Sequence, residues 1–355
     1  MNRLKTALIL VAVLGLLAYA FRGPLSMRLM GIALPRMMTA NPIAELSDGL
    51  HLTLCGAGSP LPDPKRSAPC VAVVAGGDLF VVDAGSGAGR NLQGQGLAPG
   101  FVRAVFLTHF HSDHIDGLGE LGLQRWVGSA EEGPLPLFGP EGVDHIAAGL
   151  NRAYRLDVGY RVAHHGEKTL PSARAGFVGR TFITPEPGRP TVVWDAGGVK
   201  ITAFRVDHAP IDPAVGYRFD YGGRSLVITG DTVQSPEIER ISQGVDLLVH
   251  EALAAHLVEI MRDAALEAGL ASRARIMNDI LDYHATPVQA AESAQSAQVG
   301  HLLFYHVVPP LIVPGMEAAF LEGVDDAYAG DITLGQDGTR ISLPAGSTEI
   351  KVSGG

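Results

Sequence analysis

Cysteine is almost absent: the 355 residues hold two, Cys55 and Cys70. That count excludes a disulfide framework and any zinc site built from thiolates. The pair lies at the two ends of a proline-rich connection between expected strands, and sequence alone leaves open whether a single bridge joins them. Positive charge is also scarce. Lys and Arg number 27 against 37 Asp and Glu, a formal net charge of −10, so no global basic field exists to hold a polyanion. On that ground nucleic acid is not expected as a partner. The chain shows no internal repeat and no low-complexity tract. What remains is 46% hydrophobic and 18% charged, ample for a sizeable core, with Gly 44 and Pro 23 suiting a loop-rich α/β enzyme.

One apolar run stands apart. Arg3 and Lys5 precede Thr6 to Phe21, which carries no charge, and Phe21 to Met38 stays apolar with Arg22, Arg28 and Arg36. A basic segment before an apolar one is the pattern of an export signal, with Ala18-Tyr19-Ala20 as a cleavage site, or of a retained anchor with an amphipathic flank. Residues 1–38 are therefore expected to be a signal peptide or membrane anchor, and residues 39–355 one folded domain. The expected location is exported: periplasmic, or tethered to the membrane with the domain outside the cytoplasm.

The densest chemistry lies in Thr108-His109-Phe110-His111-Ser112-Asp113-His114, directly after the apolar run Ala104 to Leu107. Strand side chains alternate, so His109, His111 and Asp113 point to one side as the strand ends, and His114 falls where the chain turns into a helix over Ile115 to Trp126. Imidazoles and carboxylates converging at a strand end make a site for zinc or a similar borderline metal. His208, Asp231 and His306 each follow another short apolar run, Ile201 to Val206, Leu226 to Gly230 and Leu302 to Tyr305. Strand ends are where α/β sheets assemble sites from distant parts of the chain.

Other segments are read more coarsely. Val71 to Ala75 and Leu79 to Val82 bracket Gly76-Gly77-Asp78 as a hairpin, and Asp83 to Gly87 is a small-residue loop suited to close backbone approach. Glu141 to Asp157 has helical spacing. Gly159 to Pro190, with His164-His165, reads as an irregular loop or lid. Thr286, Pro287 and Gly300 punctuate a helix, and Ile332 to Leu334 with Arg340 to Leu343 suggest a closing hairpin.

Taken together, Thr-His-Phe-His-Ser-Asp-His (108–114), Val-Asp-His (206–208), Thr-Gly-Asp-Thr (229–232) and Tyr-His (305–306) resemble the metallo-β-lactamase-fold superfamily. Leu54 to Pro60, Gly216 to Phe219, His250-Glu251-Ala252 and His284-Ala285-Thr286 are similar to its ribonuclease Z and arylsulfatase-like branch. The resemblance implies an α/β fold, a four-layer αββα sandwich following the N-terminal hydrophobic helix. It implies two zinc ions, with manganese or iron as alternatives: one on His109, His111 and His208, the other on Asp113, His114 and His306, with Asp231 bridging. The implied nucleophile is a hydroxide shared by the metals and oriented by Asp113, with His284 and Glu251 as a proton relay to the leaving oxygen.

The chain departs from ribonuclease Z in two places. Val307-Val308-Pro309-Pro310 follows His306 where a serine and arginine are expected, and Gly139 to Pro190 shows no basic flexible arm. With the charge of −10, these departures favour hydrolysis of a small-molecule ester, a phosphodiester or aryl sulfate. A tRNA 3′ endonuclease and a non-catalytic, membrane-associated metal-binding protein are the alternatives. His164, His165 and Tyr217 are further candidates to line a pocket.

Overall fold

Alternating apolar runs become the strands of two mixed sheets in the computed structural model, which describes residues 2–129 and 131–354. Residues 1, 130 and 355, which belong to the expected 1–38 and 39–355 segments, lie outside the described residues. In chain order the strands are β1 (Gly49–Gly56), β2 (Cys70–Ala75), β3 (Asp78–Val82), β4 (Val102–Phe106), β5 (Leu135–Gly139), β6 (Phe177–Thr181), β7 (Thr191–Ala196) and β8 (Val199–Arg205). They continue with β9 (Val215–Tyr221), β10 (Arg224–Ile228), β11 (Leu247–Leu253), β12 (His301–Val308), β13 (Asp331–Leu334), β14 (Arg340–Pro344) and β15 (Lys351–Ser353). One sheet runs β15-β14-β1-β2-β3-β4-β5-β6, the other β13-β12-β11-β10-β9-β8-β7.

The two sheets share one core. Leu52, Val73, Phe80 and Phe106 of the first meet Ile201, Phe219, Val249 and Leu303 of the second. Because neighbouring strand residues face opposite ways, Val227, Leu248, Leu302 and Phe304 point outward, where Ile238 and Ala290 of the helices Pro236–Ile241 and Pro287–Ser296 cover them. Helices Ala88–Gly94, Leu118–Gly128 and Val143–His165 flank the first sheet. The result is the expected four-layer αββα sandwich. Residues 1–45 form a unit of their own, with helices Asn2–Ala20 and Arg22–Thr39, and every side chain from Arg3 to Thr39 is exposed.

Local chemistry explains several joins. β2 and β3 pair through the two-residue turn Gly76-Gly77, at φ +58° and +82°, conformations that favour glycine. Thr286 caps its helix reciprocally: Gln289 N donates to its hydroxyl (3.2 Å) and Thr286 N donates to Gln289 Oε1 (2.9 Å). Cys55 and Cys70 are joined, Cα to Cα 4.9 Å, tying the end of β1 to the start of β2.

Three expectations are corrected. The helix expected over Glu141 to Asp157 is Val143–His165, and β6 follows it, so Gly159 to Pro190 is not an irregular lid. Only Val143 and Ala147 are buried on that helix, so no apolar stripe marks its last turns. The closing hairpin is absent: β13 pairs with β12 while β14 pairs with β1, and the chain crosses between sheets. Turn residues set a reversal but not a partner. Here Gly338 N bonds Leu54 O (2.8 Å) and Asp337 accepts from Ala57 N and Ser67 N, pinning the crossing to β1. Third, His306 lies within β12, not beyond its end.

Glycine fixes how the metal-motif loop packs. A Cβ on Gly85 would sit 2.1 Å from Asp113 O, and one on Gly117 would sit 2.1 Å from Gly85 O. The expected close backbone approach of the Asp83 to Gly87 loop is thus made against the His109–His114 segment itself. Asp116-Gly117 also splits the helix expected over Ile115 to Trp126 into Ser112–Ile115 and Leu118–Gly128.

Candidate metal centre

The candidate ligands converge at one edge of the sandwich. His109 and His111 extend past β4, and Asp113 and His114 occupy the helical turn Ser112–Ile115. His208 follows β8, and Asp231 follows β10 across Gly230 at φ +66°. His306 arrives by a different device. The β11–β12 register pairs Glu251 with Tyr305 and Ala252 with Val307, so His306 is the extra residue of a bulge, at φ +44°. A bulge re-aims one side chain without ending the strand. That is how an imidazole within β12 reaches the site.

Ligand atoms of His109, His111, His208 and Asp231 lie within 4.8 Å of one another, as do those of Asp113, His114 and His306. Asp231 Oδ2 lies between the groups: 3.8 Å from His109 Nε2, 3.4 Å from His114 Nε2, 3.9 Å from His208 Nε2 and 3.3 Å from His306 Nε2. All but His111 are buried. Yet His114 Nε2, His208 Nε2, both His306 nitrogens and Asp231 Oδ1 have no hydrogen-bond partner among the described residues. Buried, unsatisfied nitrogen and oxygen donors facing a common centre fit a divalent cation of the borderline class.

A second layer turns the rings inward. His114 Nδ1 donates to Asp83 Oδ2 (2.8 Å). His109 Nδ1 donates to the Thr108 hydroxyl (3.1 Å), which donates to Asp83 Oδ2 (2.8 Å), while Thr108 N donates to Asp83 Oδ1 (2.8 Å). His208 Nδ1 donates to Tyr283 O (2.9 Å). Each bond fixes the tautomer that leaves Nε2 free to ligate. The sequence reading gave Asp83 no role, although a carboxylate ending a strand before a small-residue loop was a usable signal. Its φ of +56° is one that aspartate tolerates better than most residues.

Glu251 and His284 meet beside this cluster. His284 Nδ1 donates to Glu251 Oε1 (3.0 Å), which also accepts from Thr232 N (3.1 Å) and Ala285 N (3.2 Å). His284 also offers a nitrogen within 4.8 Å of Asp231 and His306 ligand atoms. The charges interlock. Burial alone would lower the His284 imidazole, but the Glu251 carboxylate overrides it and raises it to about 9. Burial would raise the Asp231 carboxyl, but the His306 and His114 imidazoles hold it well below the carboxylate range. Burial and the neighbouring His114 push His109 well down.

The other pocket candidates lie elsewhere. Tyr217 is wholly buried between the sheets, its hydroxyl donating to Leu107 O (2.6 Å). His164 and His165 are exposed at the far end of the Val143–His165 helix.

This fold, with paired His/Asp clusters at a sheet edge, is that of a metal-dependent hydrolase of ester bonds. The chain belongs to the metallo-beta-lactamase superfamily, whose family model matches residues 64–277. It is 36% identical over 300 residues to a protein of Mycobacterium avium named Ribonuclease Z, covering 84% of this chain and 100% of that one. A Mycobacterium bovis protein of the same name is 34% identical over 83% of this chain and 98% of its own length. Among solved structures, a metallo-beta-lactamase fold protein from Bacillus subtilis superposes with a TM-score of 0.61 (20% identity, 83% and 100% covered). Human tRNase Z, short form, superposes at 0.59 (23% identity, 83% and 99% covered). At these identities the structures speak for the fold alone.

The relatives overturn one expectation. A small-molecule substrate with nucleic acid set aside does not stand against a full-length match to proteins named as ribonucleases. The net charge misled because it sums over the whole chain. Between residues 151 and 181, six basic residues (Arg152, Arg155, Arg161, Lys168, Arg174, Arg180) face only two acids, Asp157 and Glu167.

Because Asp83 holds His114 directly and His109 through Thr108, Asp83→Ala is expected to weaken divalent-metal affinity about 10–100-fold. Competition titration against a chromogenic chelator measures this. Unchanged affinity in a folded variant would refute the supporting role.

Proposed function

We propose that the chain is a ribonuclease Z-like phosphodiesterase that cuts a tRNA precursor on its 3′ side, using two divalent cations, zinc foremost. One observation carries this reading: 36% identity sustained over the whole length of a protein named Ribonuclease Z. The local charge supports it. Arg152, Arg155, Lys168 and Arg180 are exposed, and Tyr160 between them is 69% exposed, a mixture suited to phosphates and bases. Arg152 and Arg155 lie on the helix Val143–His165, which starts beside the metal loop, where a Cβ on Gly142 would lie 2.9 Å from the Phe110 ring. At 23 residues it spans roughly 34 Å, a reach on the scale of a folded RNA.

In this reading His109, His111 and His208 would hold one cation, Asp113, His114 and His306 the other, and Asp231 would serve both. Divalent cations there supply Lewis acidity toward the phosphate and acidify the attacking water. Asp113 orients that water and accepts its proton. His284, with Nδ1 held by Glu251, gives a proton to the ribose oxygen that leaves as the P–O bond breaks.

The test is cleavage of a 3′-extended tRNA precursor by the full chain. Expected is one cut near the 3′ boundary, abolished by chelation and restored by zinc or manganese. His284→Ala should slow it about 10²–10⁴-fold with metal content unchanged. An intact precursor alongside turnover of aryl phosphodiesters or aryl sulfates would contradict the RNA reading.

We further propose that residues 1–38 export or anchor the 39–355 domain. Arg3–Ala20 has a mean hydropathy of 1.8 with no residue buried, and the Cys55–Cys70 bridge is a bond that an oxidising compartment preserves. Exported, the domain would meet RNA outside the cytoplasm, and the tRNA precursor then serves as the probe of its specificity. Cell fractionation with thiol alkylation tests this. Expected is recovery with the membrane or periplasmic fraction and no alkylation before reduction; a cytosolic protein with both thiols labelled would refute it.

A further inference from the structure

A cavity of about 290 Å³ opens beside the metal centre, lined by two chemically unlike groups of residues. His111, Asp113, Asp231, His284 and His306 form one. Pro60, Leu61, Met277, Ile280, Tyr283 and Val308 form the other. No Lys or Arg lines it. A substrate held here therefore finds countercharge only at the metal centre, and beyond Ser59 and Ser112 whatever flanks the reacting phosphate meets apolar side chains.

We infer that the apolar wall is a slot for a nucleobase flanking the scissile phosphate, and that Tyr283 determines this preference by stacking. The inference rests on the RNA reading above. The Tyr283 ring is already braced, edge-on to His208 (centroids 4.8 Å apart, 84° between planes) and tilted against His284 (4.8 Å, 49°). It is half-buried, and its hydroxyl makes no hydrogen bond among the described residues. The ring lines the cavity and carries no hydrogen bond that a stacked base would have to break. Met277 and Ile280 come from the helix Ala271–Asp279 and the turn after it, and a thioether packs well against a flat π-system.

The Pro60-Leu61 part of the apolar lining is equally fixed. Buried Arg66 donates to Gly335 O (2.8 Å) and pairs with Glu317 (3.1 Å) and Asp63 (3.5 Å), while Asp63 accepts from Leu311 N (3.0 Å). That clamp holds the Pro60-Leu61 segment in place. A preformed slot between rigid apolar walls selects flat groups over flexible polar ones. Stacking is sequence-tolerant because every base has a π-face, so the slot sets nucleotide preference without specifying sequence.

The test is calorimetric binding of adenosine 5′-monophosphate and ribose 5-phosphate to the zinc-loaded full chain. The two ligands share phosphate and ribose and differ in the base. The chain is expected to bind the nucleotide about tenfold or more tightly than the sugar phosphate. Tyr283→Phe should keep that ratio, and Tyr283→Leu, which preserves apolar volume without a ring, should lose most of it. Ribose 5-phosphate affinity reports, in each variant, any shift passed on to His208 and His284, against which the ring packs, so the ratio isolates the contribution of the base. Equal affinities in the unsubstituted chain, or an unchanged ratio in Tyr283→Leu, would overturn the inference even if tRNA precursor is cleaved. An intact ratio without RNA cleavage would overturn the RNA reading and leave the slot standing.

Discussion

One buried carboxylate organises this molecule. Asp231 Oδ2 stands 3.3–3.9 Å from four imidazole Nε2 atoms delivered by three separate parts of the chain. A lone carboxylate this deeply buried would be strongly destabilising without countercharge and ligation. Its surroundings are built to meet that demand. Asp83, through Thr108 and directly, orients two of the rings, and the Tyr283 carbonyl orients a third. The bulge at His306 supplies the fourth where an unbroken β12 would have aimed it along the sheet normal. The sandwich beneath is the frame that makes these strand ends coincide.

Much of this was legible before any coordinates. Short continuous apolar runs marked β2, β3, β4, β8, β10 and β12, because those strands are buried on both faces. The His and Asp residues stood out because they interrupt such runs where polar groups are otherwise rare. β5, β6 and β7 escaped notice because their side chains are mixed or exposed, β7 having no buried position, so apolar patterning carries little there. The length of the Val143–His165 helix was hidden for the same reason. The role of Asp83 and the β13–β14 crossing were harder to read for another reason. Their roles are set by partners distant in the chain, the imidazoles in one case and the β1 edge in the other.

Metal chemistry and substrate choice are separable here, as they are on other widely used folds. The ligand cluster argues for hydrolysis and is silent about what is hydrolysed. Substrate choice depends on surfaces that whole-chain composition averages away: a basic stretch between residues 151 and 181 with exposed tyrosines, and an apolar lining beside the metal centre. A net charge of −10 is compatible with polyanion binding when acids and bases are segregated, because fields at a surface are local at physiological ionic strength.

The most direct test of the shared-carboxylate centre is anomalous diffraction at the zinc absorption edge from crystals grown with zinc. Two peaks roughly 3.5–4 Å apart, one against His109, His111 and His208, the other against Asp113, His114 and His306, with Asp231 touching both, are predicted. A single peak, or none within reach of Asp231, would contradict the two-cation account.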